Sequence, residues 1–328
     1  MGVSTLIIKQ GALGDVIIAT ALVDAIMKAR PAGSVTLLTT PPFAGLFTDW
    51  ADLRVVAWPR RGWRAMTATL GFIRGQRFSE VFDLQGNDRS RLLCTLSGIP
   101  RRIGSHLHYP YNVHPAAPWD EQSHVFTRLN AVLEAAGLPA AAPRPVLPCA
   151  GTTLAEVTAF MEEAGLQAGR FVVMHAGASA SRQDKCWPGF GELALALAAQ
   201  GLTTVWLGGS DDVARNRQLA ARTGIDSTGR FRIAQLAALA AQARFAVTND
   251  SGPMHACAAA GVPVFALFGP SDWTRNHALG QADNVLAGVR LLPDLAGQRT
   301  ADCLARISPA MVLAKLASAG LIAAQASG

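Results

Sequence analysis

The sequence predicts an α/β protein built as two doubly wound halves, and three observations predict it. Short apolar, β-branched runs alternate with segments of helical periodicity along both halves of the 328 residues. Several of those runs end in polar, glycine-bearing turns, at Lys9–Asp15, Asp83–Arg91, His175–Lys185 and Trp206–Asp211, which is where open parallel sheets bind ligands. A proline-rich stretch, Leu138–Pro148, interrupts the alternation and predicts a boundary between domains 1–148 and 149–328.

In the first half, Thr5–Lys9 is an apolar strand and Gln10–Gly14 a turn. Asp15–Ala29 is a helix, with Ile17, Ile18, Ala21, Leu22, Ala25 and Ile26 on one face and a stop at Arg30-Pro31. Gly11 and Gly14 permit a sharp turn and close approach of a ligand. The turn is not GxGxxG, and no acid ends a second strand about twenty residues on, which argues against a dinucleotide dehydrogenase. Asp15 in a first helical turn has a purely electrostatic reading, worth roughly 0.3–1 kcal/mol against the helix dipole. Strands follow at Ser34–Thr39, Arg54–Trp58 and Val81–Leu84, with a turn and helix start at Pro41–Phe47. The last strand opens into Gln85-Gly86-Asn87-Asp88-Arg89-Ser90-Arg91. Those polar residues face a ligand or form a capped loop with Asp88 or Ser90 as helix N-cap. Arg101–His108 reads as an edge strand and loop, and His124–Gly137 as a helix. His106, His108 and His114 have no carboxylate or cysteine at metal spacing.

In the second half, helix Thr152–Gly165 precedes strand Phe171–His175 and a loop holding Gly177, Ser179, Ser181, Arg182 and Lys185. Small residues and cations at a strand end suit diphosphate oxygens, although Lys185 also reads as a solvated charge. Strand Thr203–Leu207 meets Gly208-Gly209-Ser210-Asp211-Asp212, whose acids bind ribose hydroxyls or cap the next helix. After helix Ile233–Ala243, strand Phe245–Asn249 and strand Val262–Phe268 enclose a short helix, Pro253–Ala260. Ser251 is placed as its N-cap, Pro253 in its first turn and Gly261 as its stop. Its N-terminus offers free N–H groups, the positive dipole end, a hydroxyl and the His255 imidazole, a seat for phosphate or diphosphate. Ser308–Ile322 is the final helix.

Composition narrows the class. Half the residues are hydrophobic, no low-complexity tract occurs, and no uncharged apolar run reaches eighteen residues, so no membrane span is expected. The N-terminus carries Lys9 and Asp15 inside its apolar stretch and reads as strand and helix rather than a signal peptide. Five scattered cysteines without a CxxC argue against disulfides and zinc, and for a reducing cytosol. The net charge of +6 is uneven. Arg54–Arg102 holds ten arginines against Glu80, Asp83 and Asp88. That is either a solvated basic face or a surface for an anionic partner. The arginines lack interleaved aromatics and no nucleic-acid motif occurs, so no nucleic-acid partner is expected.

Asp250-Ser251-Gly252-Pro253-Met254-His255, followed by an alanine-rich helix, Gly261-Val262-Pro263 and Phe268-Gly269-Pro270-Ser271, resembles the bacterial heptosyltransferases, glycosyltransferase family 9. The resemblance continues in family order at Lys9–Asp15, Asp83–Arg91, His175–Pro188 and Trp206–Asp211. It implies a GT-B fold, two Rossmann-like domains facing across a cleft, the first binding the acceptor and the second the nucleotide-sugar. In this fold a final helix such as 308–322 often returns to the first domain. The implied reaction is inverting, metal-independent transfer of heptose from ADP-heptose to an anionic lipopolysaccharide core acceptor. It implies no cofactor, and a cytoplasmic enzyme in peripheral contact with the inner membrane. Asp15 is then the general base. Gly14, Lys185, Asp211, Asp250, Ser251, Gly252 and His255 face the donor, and Arg61, Arg64, Gln85 and Arg89 the acceptor. Cys186 departs from the family, where a bulkier polar residue commonly follows the lysine. A nucleotide-sugar epimerase or phosphorylase of the same fold, or a catalytically silent nucleotide-sugar binder, are the alternatives.

Overall fold

A computed structural model describes residues 3–59, 62–291 and 301–323. The chain divides into two compact units, 1–148 and 149–328, the division expected from the proline-rich segment.

The first unit runs β1 (Thr5–Ile8), α1 (Leu13–Lys28), β2 (Val35–Thr39), α2 (Pro41–Ala44), β3 (Leu53–Ala57), α3 (Trp63–Gln76), β4 (Glu80–Asp83), α4 (Asp88–Leu96), β5 (Arg101–Gly104) and α5 (Val125–Ala135). Its sheet is parallel in the order β3-β2-β1-β4-β5, so β1 lies between β2 and β4. Leu6 and Ile8 share one face of β1 by the two-residue period, and both join a core with Leu38, Ile73, Phe78, Val81, Leu93 and Ile99. Helix α3 was not foreseen. Gly71, Gly75 and two threonines weaken its helical signal, and only Thr69 and Ile73 are buried along it. Helix α1 begins two residues earlier than expected, at Leu13, so Gly14 lies inside its first turn. The N-cap of α4 is Asn87, not Asp88 or Ser90. Asn87 accepts from Ser90 N at 2.9 Å while Ser90 Oγ accepts from Asn87 N at 3.0 Å, a reciprocal capping box.

The floor of this sheet is an ion cluster. Glu80 accepts from Arg30 Nε at 2.6 Å, Arg101 Nη1 at 2.7 Å and Thr5 Oγ1 at 2.7 Å, with its side chain only 3% exposed. Burial alone would raise its pKa, but the hydrogen bonds from Arg30, Thr5 and Arg101 outweigh it and hold the carboxyl below its usual value. A carboxyl depressed in the folded state stabilises above its unfolded pKa of about 4.3 and loses that contribution as pH falls through the folded value. Glu80→Gln should therefore destabilise the first unit by about 3 kcal/mol at neutral pH, because two guanidinium groups lose their carboxylate. The gap to wild type should narrow once the pH is brought below that unfolded value. Urea unfolding at neutral pH and below that value checks this, and a constant gap would contradict it.

The second unit runs α6 (Gly151–Glu163), β6 (Phe171–His175), α7 (Phe190–Ala198), β7 (Thr203–Trp206), α8 (Val213–Ala220), β8 (Ile225–Asp226), α9 (Ile233–Gln242), β9 (Ala246–Asn249), α10 (Gly252–Ala260), β10 (Val264–Phe268), α11 (Trp273–Asn276), β11 (Val285–Ala287), α12 (Gly288–Leu291), α13 (Ala301–Ala305) and α14 (Pro309–Ser318). The parallel order is β11-β10-β9-β6-β7-β8. Strands β8 and β11, of two and three residues, are too short to carry a periodic signal. The final helix α14 packs on α7, and its Val312, Leu313 and Leu316 enter the core with Trp187, Phe190, Trp206 and Phe265. Trp187 Nε1 also donates to Ile307 O at 2.7 Å, tying the segment before α14 to the loop after β6.

Candidate functional site

Each sheet has a topological switch point, where neighbouring strands connect in opposite directions and leave a crevice at their carboxyl ends. In the first unit it lies between β1 and β4. Lys9 Nζ donates across it to Leu84 O at 3.1 Å, and Gln10 N donates to Gln85 Oε1 at 2.8 Å. The β4 turn is fixed from below by Asp83, which accepts from Gln85 N at 3.0 Å, Gly86 N at 2.9 Å and Tyr111 Oη at 2.6 Å. A side chain at Gly104 would overlap the Tyr111 ring, so glycine there lets the ring reach Asp83. Burial and the neighbouring Asp83 push the Tyr111 hydroxyl far above its usual pKa, so it stays a donor. Asp15 sits half-buried in the first turn of α1 above this crevice. Lys9, 4% exposed, is the residue that sequence reasoning passed over. Burial lowers its pKa, Asp15 and Asp83 pull it back up, and Arg128 lowers it further.

Arg128 on α5 leads to a cavity of about 290 Å³ in the same unit, lined by Ser105, Pro115, Trp119, Asp120, Ser123 and Arg128 among others. Its guanidinium lies 5.3 Å from the Trp119 ring, with His106 5.2 Å from that ring on another side. His106 Nε2 contacts Gly86 O at 3.0 Å, so the cavity wall is joined to the β4 turn.

In the second unit the switch point lies between β6 and β9. Asn249 ends β9 and holds the loop after β6. Its Nδ2 donates to Ala176 O at 2.9 Å and Gly177 O at 3.1 Å, and its Oδ1 accepts from Trp187 N at 3.1 Å. The loop returns Lys185 to Asp250, Nζ to Oδ2 at 2.5 Å, with side chains 17% and 9% exposed. Ser251 then caps α10 in position, and its Oγ lies 2.9 Å from His175 Nδ1. His175 Nε2 faces Asp212 Oδ2 at 3.4 Å. Burial would raise the Asp212 pKa, but hydrogen bonds from His175 and the Gly209 N–H hold it below the usual carboxylate range. A side chain at Gly177 would overlap the Asp212 carboxylate. The result is an ammonium, a hydroxyl and the first N–H groups of α10 at one strand-end crevice, chemistry suited to a phosphate or diphosphate.

Residues 57–304 match the profile of Glycosyltransferase family 9 (heptosyltransferase). The chain belongs to this family. It is a glycosyltransferase of GT-B type, with the two parallel sheets of that fold. A family 9 glycosyltransferase from Veillonella parvula is similar in fold, with TM-score 0.80, 19% identity, and 97% of this chain and 98% of that one covered. The ADP-heptose lps heptosyltransferase II of E. coli gives TM-score 0.76 at 22% identity, covering 96% and 98%. The E. coli heptosyltransferase WaaC with ADP gives 0.71 at 20%, covering 98% and 99%. No curated protein sequence matches the chain significantly.

In this family 9 enzyme the expected donor residues Lys185, Asp250, Ser251 and Gly252 meet around the mouth of α10. His255 is on the same helix and is 4% exposed. Asp211 is exposed, whereas its neighbour Asp212, 6% exposed, faces His175. Gly14 and Asp15 are in the first unit. Among the expected acceptor residues, Arg61 lies outside the described residues. Arg64 is exposed, its guanidinium 5.6 Å from the Trp63 ring. Gln85 uses its oxygen to hold the Gln10 amide, and Arg89 is half-buried. The arginine-rich stretch is not one solvated face. Arg101 pairs with Glu80, and Arg102 donates to Ile99 O at 2.7 Å and Pro110 O at 2.6 Å. Cys186 also has a structural place, its Sγ 3.1 Å from Arg215 Nη1. Among the described residues no three of His, Cys, Asp and Glu group as metal ligands, and no helix is long and apolar enough to cross a membrane.

Proposed function

We propose that this family 9 enzyme transfers heptose from ADP-heptose to an anionic lipopolysaccharide core acceptor, with inversion and without a catalytic metal ion. The observation that carries the reading is the Lys185–Asp250 pair at the mouth of α10. An ammonium has three donors, and Asp250 takes one, so the others are free to meet diphosphate oxygens. The α10 N–H groups and dipole add to the charge balance as the leaving diphosphate forms. That arrangement performs with fixed protein groups what a divalent cation does elsewhere. ADP as the nucleotide is supported by the fold neighbours, WaaC having been solved with ADP and with ADP-2-deoxy-2-fluoro heptose. Asp15 takes the proton of the acceptor hydroxyl as it attacks from the face opposite the diphosphate. The half-buried position and the buried Lys9 nearby set its environment.

The first unit is the acceptor side in this reading. The Trp119–Arg128 cavity offers an apolar ring, a guanidinium and the polar groups of Asp120 and Ser123, which together suit one carboxylated sugar. Arg64 and Trp63, the latter 73% exposed, supply charge and an interfacial ring for peripheral contact with the anionic cytoplasmic face of the inner membrane. Arg64→Gln together with Arg128→Gln should raise the acceptor KM about tenfold or more and leave the donor KM within about twofold. Added salt should act in the same direction, since exposed charges are screened beyond about 8 Å. Steady-state kinetics with each substrate varied in turn checks this, and equal changes in both KM values would remove these arginines from acceptor binding. The reading as a whole is tested by ADP release from ADP-heptose with and without a core acceptor.

A further inference from the structure

Ser251 stands at the N-cap of α10 with extended backbone, φ −155° and ψ 169°, yet its side chain makes no cap hydrogen bond. An N-cap serine ordinarily accepts from an amide of the first turn, which is worth about 1 kcal/mol. Here the hydroxyl is drawn away to His175 Nδ1 at 2.9 Å, with Asn249 O at 3.3 Å as a second acceptor. His175 is itself held at its other nitrogen by Asp212, whose carboxylate is anchored by the Gly209 N–H at 2.9 Å. The three side chains form a line from a buried carboxylate, through a buried imidazole, to the Ser251 hydroxyl at the mouth of the helix.

We propose that His175 and Asp212 are positioning residues that set the direction of the Ser251 hydroxyl proton, and that a nucleoside diphosphate-sugar binds there with uptake of a proton at His175. This inference rests on the donor seat proposed above. Asp212 is anionic, so His175 Nε2 carries a proton towards it. In a neutral imidazole Nδ1 is then an acceptor, and Ser251 must point its proton at His175 or Asn249. The hydroxyl presents only lone pairs to the mouth, the wrong polarity for a phosphate oxygen. A second proton, on Nδ1, reverses the bond. His175 then donates to Ser251 Oγ, and the hydroxyl proton turns outward to the diphosphate.

The charges around His175 agree with this. Asp212 faces it from the β7–α8 turn. Arg215 of α8 is directed past it, donating to Ala176 O at 3.1 Å and Gln183 Oε1 at 2.6 Å. Lys185 and Asp250 are paired beside Ser251, and His255 lies on α10. The neutral amides of Asn249 and Asn216 bind backbone carbonyls. A bound diphosphate adds negative charge on the open side of Ser251, which favours the imidazolium.

Titration calorimetry with ADP-heptose in two buffers of different ionisation enthalpy tests the inference, because the diphosphate diester itself does not titrate in the range used. The wild type should take up a proton on binding, and its affinity should fall as the pH rises. His175→Gln should abolish the uptake, flatten the pH dependence and weaken binding by roughly tenfold at the acid end of the range. Ser251→Ala, at a half-buried site, should lower both affinity and uptake and keeps the test valid where the His175 variant fails to fold. Wild-type binding with buffer-independent heat and pH-independent affinity would overturn the proton-coupled clamp and leave the donor seat standing. Absence of any wild-type binding would overturn both.

Discussion

Asp15→Asn should leave ADP-heptose affinity near that of the wild type while lowering turnover by roughly 10²–10⁴. The substitution keeps the shape of the side chain at the third position of α1 and removes only the group that accepts a proton. Asp15 is the acidic residue of the first turn, and its dipole contribution is worth under about 1 kcal/mol. Loss of fold is therefore not expected, and the effect should fall on kcat. Burst and steady-state ADP release, beside calorimetric binding of the donor, separate the two. A variant that retained most of its turnover would reduce Asp15 to a helix-dipole residue.

Lys185→Ala should weaken ADP-heptose binding by about 10- to 100-fold, as a charged hydrogen bond of about 1.5–3 kcal/mol is lost. The turnover of bound donor should fall as well, since the leaving diphosphate carries more charge in the transition state than in the substrate. Part of the penalty comes from Asp250. With the ammonium gone, its carboxylate, 9% exposed, is left beside the incoming phosphates. Lys185→Ala combined with Asp250→Asn should therefore bind the donor better than Lys185→Ala alone. A double variant that is weaker than the single one would assign Asp250 its own contact with the donor.

Much of this was legible in the sequence because the buried strands are continuous apolar runs ending in polar turns. Thr5–Ile8 and Phe171–His175 are buried at every residue, and both feed the strand-end loops that form the crevices. The meeting of Lys185 with Asp250 at the start of α10, the proposed donor seat, draws on residues the sequence singles out, since Asp250, Ser251 and Gly252 are contiguous and Lys185 lies in a loop of distinctive composition. What was not legible depends on distance in the chain. His175 and Ser251 are 76 residues apart, and nothing local in Ser251 says that its hydroxyl leaves the helix end. The choice of Asp212 over Asp211 is likewise a matter of which way a three-residue turn faces. The arginine stretch misled because charge counts do not distinguish a guanidinium on Glu80 or on backbone carbonyls from one in solvent. The Trp119–Arg128 cavity was invisible because its lining comes from an irregular segment, 105–123, that has no periodicity.

The most direct test of the central claim is ADP release from ADP-heptose by the purified enzyme, with and without a heptose-free lipopolysaccharide core acceptor and in the presence of a metal chelator. The account predicts rapid release only when the acceptor is present, undiminished by the chelator, with the heptose recovered on the acceptor in the anomeric configuration opposite to that of the donor. Acceptor-independent conversion of ADP-heptose, or binding without any ADP release, would contradict it, as would activity restored only by a divalent cation.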